Sequence, residues 1–178
     1  LILESYEKEQ RLQISYERFG YVTKATSDAI WDWNLVDDKT FCGDGFSEIL
    51  GETLTEDQWN LNVWLGYIHN EDRSLIMDTV TKVMAGNDNR WEHEYRVRKA
   101  DGRYGYVSDR AYIIRDKKGK PLRIIGAIRD VTAKREEEQR LRLFENIVIN
   151  SSDAVIITRS GPIDDNGPEV VYVNEAFT

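Results

Sequence analysis

The sequence predicts an α+β fold, in which strands and helices occupy separate stretches of the chain rather than alternating. Three observations predict it. An aromatic, alternating run near Ile30 turns back on itself, a segment of helical period follows, and three strand-like runs joined by short turns come after that.

The elements can be justified in order. Residues 1–26 are rich in Glu, Lys, Gln and Arg, and Leu12, Tyr16, Phe19 and Thr26 recur at steps of four, three and seven, which predicts a flanking N-terminal helix. Ile30-Trp31-Asp32-Trp33-Asn34-Leu35 then alternates, Asp37-Asp38 signals a turn, and Thr40-Phe41-Cys42 returns as the second strand of a hairpin. Gly43, Gly45 and Gly51 bracket a short helical turn carrying Phe46, Ile49 and Leu50. The plainest helix lies between Trp64 and Ala85. Asn70 is expected to cap it, with Glu71 and Asp72 at the positive end of its dipole. Leu75, Ile76, Val80, Val83 and Met84 are expected to form its apolar face, and Gly86 to stop it.

Trp91, His93, Tyr95 and Val97 alternate with charged residues, as a half-buried strand requires. The turn Ala100-Asp101-Gly102 leads to a strand from Tyr104 to Ile114, and the loop Asp116–Pro121 to a nearly all-apolar strand from Leu122 to Asp130. Strands so joined form an antiparallel meander. After Thr132, Lys134 to Arg140 is entirely charged or amide, and Leu141, Phe144 and Val148 recur at steps of three and four. No Gly or Pro interrupts Asp130–Asn150, so this stretch is expected to be one continuous helix with Thr132 as its cap.

Composition excludes several classes of function. A net charge of -8 argues against binding nucleic acid or anionic membranes through overall charge. Cys42 is the only cysteine, which rules out a disulfide framework and a Cys-rich zinc site, and His69 and His93 lack the spacing of a helical metal site. No run approaches the roughly 20 apolar residues of a membrane span. No signal peptide is apparent, so a cytoplasmic location is expected. There is no phosphate-binding Gly-rich loop, no nucleophile elbow and no triad, and Asp28, Asp32, Asp109 and Glu94 form no arguable catalytic pair. No catalytic residue and no metal are expected. The abrupt beginning and end suggest a segment of a longer protein.

The chain also repeats itself. Phe19 lies eight residues before Ser27-Asp28-Ala29-Ile30, and Phe144 eight residues before Ser152-Asp153-Ala154-Val155. In the second copy a longer turn around Gly161-Pro162 and Gly167-Pro168 precedes Tyr172-Val173-Asn174-Glu175-Ala176-Phe177, with Phe177 in the place of Phe46. The organisation expected is a helix over 1–26, a domain over 27–132, a connector helix over 133–150, and the truncated start of a like domain over 151–178.

Four motifs in this order resemble the PAS family: Ile30-Trp31-Asp32-Trp33, Ile68-His69-Asn70-Glu71-Asp72-Arg73, Glu94 to Gly102, and Ile125 to Thr132. The last two resemble the part called PAC. The resemblance implies a five-stranded antiparallel sheet in the order 2-1-5-4-3, with short helices on one face. Between them it implies a cavity that either holds a small molecule or is filled by side chains. It also implies a signal-input module of a bacterial regulator, foremost a sensor histidine kinase and alternatively a cyclic-dinucleotide enzyme. A ligand-free dimerisation or spacer module is the competing reading, with a homodimer formed through helices or the sheet face and an output domain downstream.

Candidate residues follow from the apolar faces. Trp33, Phe46, Ile49, Trp64, Ile68, Tyr95, Val97 and Ile128 are expected to line an apolar cavity short of polar groups, with Ile124, Gly126 and Ile128 sharing one strand face. The five tryptophans, Trp31, Trp33, Trp59, Trp64 and Trp91, are candidates for its walls, but core packing is the favoured account of large aromatics. Asp130 and Thr132 resemble the junction through which such domains pass a signal to the outgoing helix. Flavin-binding relatives share an Asn-Cys-Arg motif and a last-strand Gln. Here Cys42 stands in the second strand and Ile128 at the Gln position, so flavin is not expected. Haem is not expected either, because His69 sits in a motif that reads as structural. The ligand, if there is one, is an unidentified small molecule.

Overall fold

A computed structural model describes residues 2–55, 58–159 and 169–177, and the chain divides into two compact units, 1–132 and 133–178. The first unit opens with α1 (Ile2–Thr26) and the hairpin β1 (Ala29–Asn34) and β2 (Lys39–Cys42). Three helices follow, α2 (Gly45–Leu50), α3 (Leu61–Tyr67) and α4 (Asn70–Ala85), and then the meander β3 (Arg90–Arg98), β4 (Tyr104–Arg115) and β5 (Pro121–Asp130). The strands form one antiparallel sheet in the order β2-β1-β5-β4-β3, as expected.

Strand period decides which residues face the helices. Trp31 on β1 pairs with Cys42 and Gly126, Gly126 with Ala111, and Ala111 with Trp91, so this row crosses the inner face of all five strands. A neighbouring row runs Ala29, Ile128, Asp109, His93. The core sits between these rows and the helices, where Phe46, Leu50, Ile68, Ile76, Val97, Val107 and Ile128 are buried. The outer face carries the cross-strand ion pairs Asp28–Arg129, Asp32–Arg123 and Glu92–Arg110, exposed pairs that each contribute about 0–1 kcal/mol.

Helix α4 is fixed at both ends. At its start the Asp72 carboxylate accepts from the Arg96 backbone N–H at 2.9 Å and from the Arg96 guanidinium at 2.7 and 2.9 Å. Arg73 donates to the Ile68 carbonyl at 3.0 Å. The charged motif that begins at Ile68 is therefore a clamp between α4 and β3. At the other end Arg115 of β4 donates to the carbonyls of Val83 and Met84, which the last turn of a helix leaves without intrahelical partners.

Two local expectations need correction. His69, not Asn70, is the N-cap of α4, with Nδ1 accepting from the Glu71 N–H. Leu75 is exposed while Ile76, Val80, Val83 and Met84 face inward. At 100° per residue Leu75 falls off the stripe that those four share, while Met77, at the stripe's other edge, lines the cavity. Helix α3, capped by the Asn60 side chain on the Val63 N–H, is a further element, to which the sequence reading assigns no structure.

The second unit contains most of α5 (Thr132–Ile149), the antiparallel pair β6 (Ile156–Thr158) and β7 (Val170–Val173), and a 3-10 turn, Glu175–Phe177. Asn174 organises it. Its side chain donates to the carbonyls of Val148, Ser151 and Asp153 and accepts from the Val155 N–H. The turn expected around Gly161-Pro162 and Gly167-Pro168 lies outside the described residues.

Candidate functional site: an aromatic cavity with a buried carboxylate

Between sheet and helices lies a cavity of about 80 Å³. Of the residues expected to line it, Trp33, Phe46, Trp64, Ile68 and Ile128 do so. Ile49, Tyr95 and Val97 instead belong to the packed core. Trp31, Trp59 and Trp91, weighed above as pocket walls against core packing, line it too, as does Ile124, and Ile113 and Asp109 line it without having been expected there.

Asp109 is the polar group that an apolar cavity was not expected to hold. It is 1% exposed, on the inner face of β4. Its Oδ1 accepts from Trp31 Nε1 at 3.0 Å and its Oδ2 from the Tyr95 hydroxyl at 2.7 Å. The Tyr95 oxygen in turn accepts from Trp64 Nε1 at 3.1 Å. Burial pushes the Asp109 carboxyl up to about 7, against the opposing effect of its two hydrogen bonds. Burial first, and then the adjacent Asp109, raise the Tyr95 phenol well above its ordinary value, so it stays a donor. The sequence did carry a signal. Val107, Asp109, Ala111 and Ile113 alternate to one face, and a lone acid among apolar partners on an inner face is a buried acid.

Gly126 makes this arrangement possible. A Cβ on it would come within 2.3–2.6 Å of the Trp31 indole, so the ring lies against the bare backbone of β5 and reaches Asp109. Gly126→Ala must push Trp31 off its seat, and we expect a loss of about 3 kcal/mol from overpacking and a broken charged hydrogen bond. Urea unfolding checks this. A loss within 0.5 kcal/mol of zero would mean that the ring has room to move, surface-like changes being about that size.

The remaining candidates have structural roles. Cys42 faces inward on β2, and burial pushes its thiol up to about 12, the opposite of a reactive thiolate. His69 caps α4 and packs edge-on against Tyr104, 4.6 Å between ring centres. No cluster of three or more His, Cys, Asp or Glu among the described residues could hold a metal ion, and no described helix is long and apolar enough to cross a membrane.

The exit from the sheet is tightly tied. Asp130 Oδ1 accepts from the Thr132 N–H at 2.8 Å and its Oδ2 from Lys99 Nζ at 2.7 Å. Burial raises the Asp130 carboxyl, but the bonds to Lys99 and Thr132 outweigh it, and the net shift is downward. Thr132 was expected to cap α5. It is instead the first residue of that helix, and its hydroxyl oxygen accepts from the Tyr106 N–H of β4 at 2.9 Å, while Asp130 supplies the cap. Gly105 leaves the room, since a Cβ there would meet Thr132 Oγ1 at 2.9 Å. Asp109 and Tyr106 lie on the same strand, so β4 touches both the cavity and the exit.

Residues 39–128 match a family described as the PAS fold, just over half of the 178 residues. A sensory box histidine kinase/response regulator from Burkholderia thailandensis is similar at 25% identity and a TM-score of 0.59, over 72% of this chain and 95% of that one. A domain of a light and redox sensing histidine kinase from Haloarcula marismortui is similar at 27% identity and a TM-score of 0.51, over 65% of this chain and 99% of that one. The N-terminal domain of a diguanylate cyclase from Marinobacter aquaeolei shares the fold at 22% identity and a TM-score of 0.54, over 61% of this chain and 98% of that one. No curated protein matches the sequence.

Proposed function

From the premise that the chain belongs to the PAS family, we propose that it is the input segment of a multidomain regulator of the histidine-kinase type. A small molecule in the cavity biases the sheet between two arrangements, and the Asp130–Thr132 junction passes that bias to α5. The segment itself carries no catalytic step. The observation that carries this reading is β4, which holds Asp109 in the cavity wall and three residues earlier binds Thr132 at the root of α5. A ligand acts this way only to the extent that it binds the two arrangements differently. Residues 27–132 are the sensing domain in this proposal, α5 the transmitter, and the residues from 151 onward the start of a second domain of the same kind.

One observation favours the spacer reading. Phe41, Tyr112 and Ile114 stand exposed on the outer face of the sheet, where a second copy could cover them. Native mass spectrometry with absorbance on the purified chain separates the two. A bound small molecule or a chromophore supports the sensor. A ligand-free dimer that takes up nothing from a cell extract supports the spacer and overturns the proposal.

A further inference from the structure

We infer that the cavity takes a small organic ammonium ion bearing an oxygen acceptor, with Asp109 as counter-charge and tryptophan rings as walls. This rests on reading the cavity as a ligand site. All five tryptophans of the chain line it, as does Phe46. Indole faces attract cations more strongly than any other side-chain ring, and most strongly where water is excluded.

Asp109 supplies the charge. Both its oxygens are held by neutral donors, Trp31 and Tyr95, and the carboxyl carries its charge once it has lost its proton, above about pH 7. Yet among the described residues no Lys, Arg or His lines the cavity, and His93, beside Asp109 in register, is not one of its lining residues. A buried anion with neutral partners only is held at a high cost, and a cation entering the cavity relieves it. A hard metal ion does not fit, because it would need about six oxygens where the described wall offers one carboxylate, the Thr40 hydroxyl and the Asn60 amide among mostly carbon surfaces. An ammonium with methyl or methylene substituents fits both partners, presenting C–H groups to the rings and charge to Asp109. The Trp91 indole N–H adds the second requirement. It is buried and has no acceptor among the described residues, so an oxygen on the ligand would receive it.

The test titrates the purified chain at about pH 8, where Asp109 is ionised, with choline, with tetramethylammonium, which lacks the oxygen, and with 3,3-dimethyl-1-butanol, the neutral isostere of choline. Binding is read by tryptophan fluorescence and calorimetry. Choline is expected to bind about tenfold or more tighter than the neutral isostere, the ratio that one cation–π or charge contact supplies, and tetramethylammonium to fall between them. Asp109→Asn is expected to weaken choline about tenfold while leaving the isostere within about threefold. Should that variant fail to fold, the comparison of choline with its isostere on the native protein decides alone. Equal affinity for the two, or failure of both cations to bind, overturns the inference. The ligand-site reading itself falls only if native mass spectrometry also finds the cavity taking up nothing.

Discussion

The folded first unit is expected to lose stability as the pH rises from about 4 to about 8, and Asp109→Asn is expected to remove most of that loss. The cause is a proton held by the folded state alone. In the unfolded chain the Asp109 carboxyl titrates near its ordinary value of 3.8, and in the fold it titrates near 7 because burial disfavours its charge. Between those values the folded protein binds a proton that the unfolded one has released. The stabilisation is therefore complete below the unfolded value and is lost as the pH climbs through the folded one, on the order of 4 kcal/mol in total.

The other shifted carboxylates act in a separate window. Asp72, Asp101, Asp130 and Glu71 are all lowered, chiefly by cationic or N–H partners, so what they contribute is present above their unfolded values and lost only in acid. Tyr95 and Cys42 are raised and stay protonated throughout. The comparison is also made in a His93→Gln background, which removes the cross-strand neighbour of Asp109. Urea midpoints from about pH 5 to about pH 8 measure the slope. A flat native profile, or a slope that survives in Asp109→Asn, would mean that Asp109 keeps its charge in the fold.

Asp109 also shows where sequence reasoning reached and where it stopped. The sheet order was legible because each strand advertised its period, with Trp91 to Val97 alternating cleanly and tight turns at Gly102 and Gly119, both at positive φ, leaving only antiparallel neighbours. The PAS resemblance supplied the position of β1 beside β5, which no local signal encodes. The cavity was harder. Tyr95 and Val97 were assigned to the correct face of β3, but that face is longer than the cavity, and its end near Val97 is filled by core packing. Trp59 lies in an irregular stretch with no period to read, yet it stacks edge-on with Phe46 at 4.9 Å. Gly126 reads in the sequence only as one of three residues, with Ile124 and Ile128, on one face of the last strand. Its role depends on Trp31, ninety-five residues away in sequence and directly opposite in register. Thr132 was placed correctly and given the wrong bond, because a hydroxyl next to a helix start points equally well to the helix or to a neighbouring strand.

Adding one residue to α5 near Glu138 in the full-length regulator is expected to abolish ligand-dependent change in output, whereas adding seven should preserve most of it. Helix α5 runs unbroken from Thr132 to Ile149, and Leu141 and Phe144 stand exposed on the stripe they share with Val148. One inserted residue turns everything beyond it by about 100°, which carries that stripe off any partner it meets. Seven residues complete two turns and return it to within about 20°. A tether would not register the difference, because a flexible linker transmits distance and not orientation. Asp130→Ala gives the complementary result at the helix entrance. It removes the cap on the Thr132 N–H and the anchor for Lys99, at a cost of about 1 kcal/mol typical of a lost cap, which leaves the domain folded. On the proposed reading, ligand should then still bind the cavity with nearly unchanged affinity while output responds weakly, because Thr132, which carries the bond from Tyr106 of β4 to α5, has lost the Asp130 carboxylate that fixes its N–H. The assay is ligand-stimulated autophosphorylation of the four proteins side by side. If both insertion variants and Asp130→Ala respond to ligand as the native protein does, α5 carries no orientation and the transmitter role is wrong.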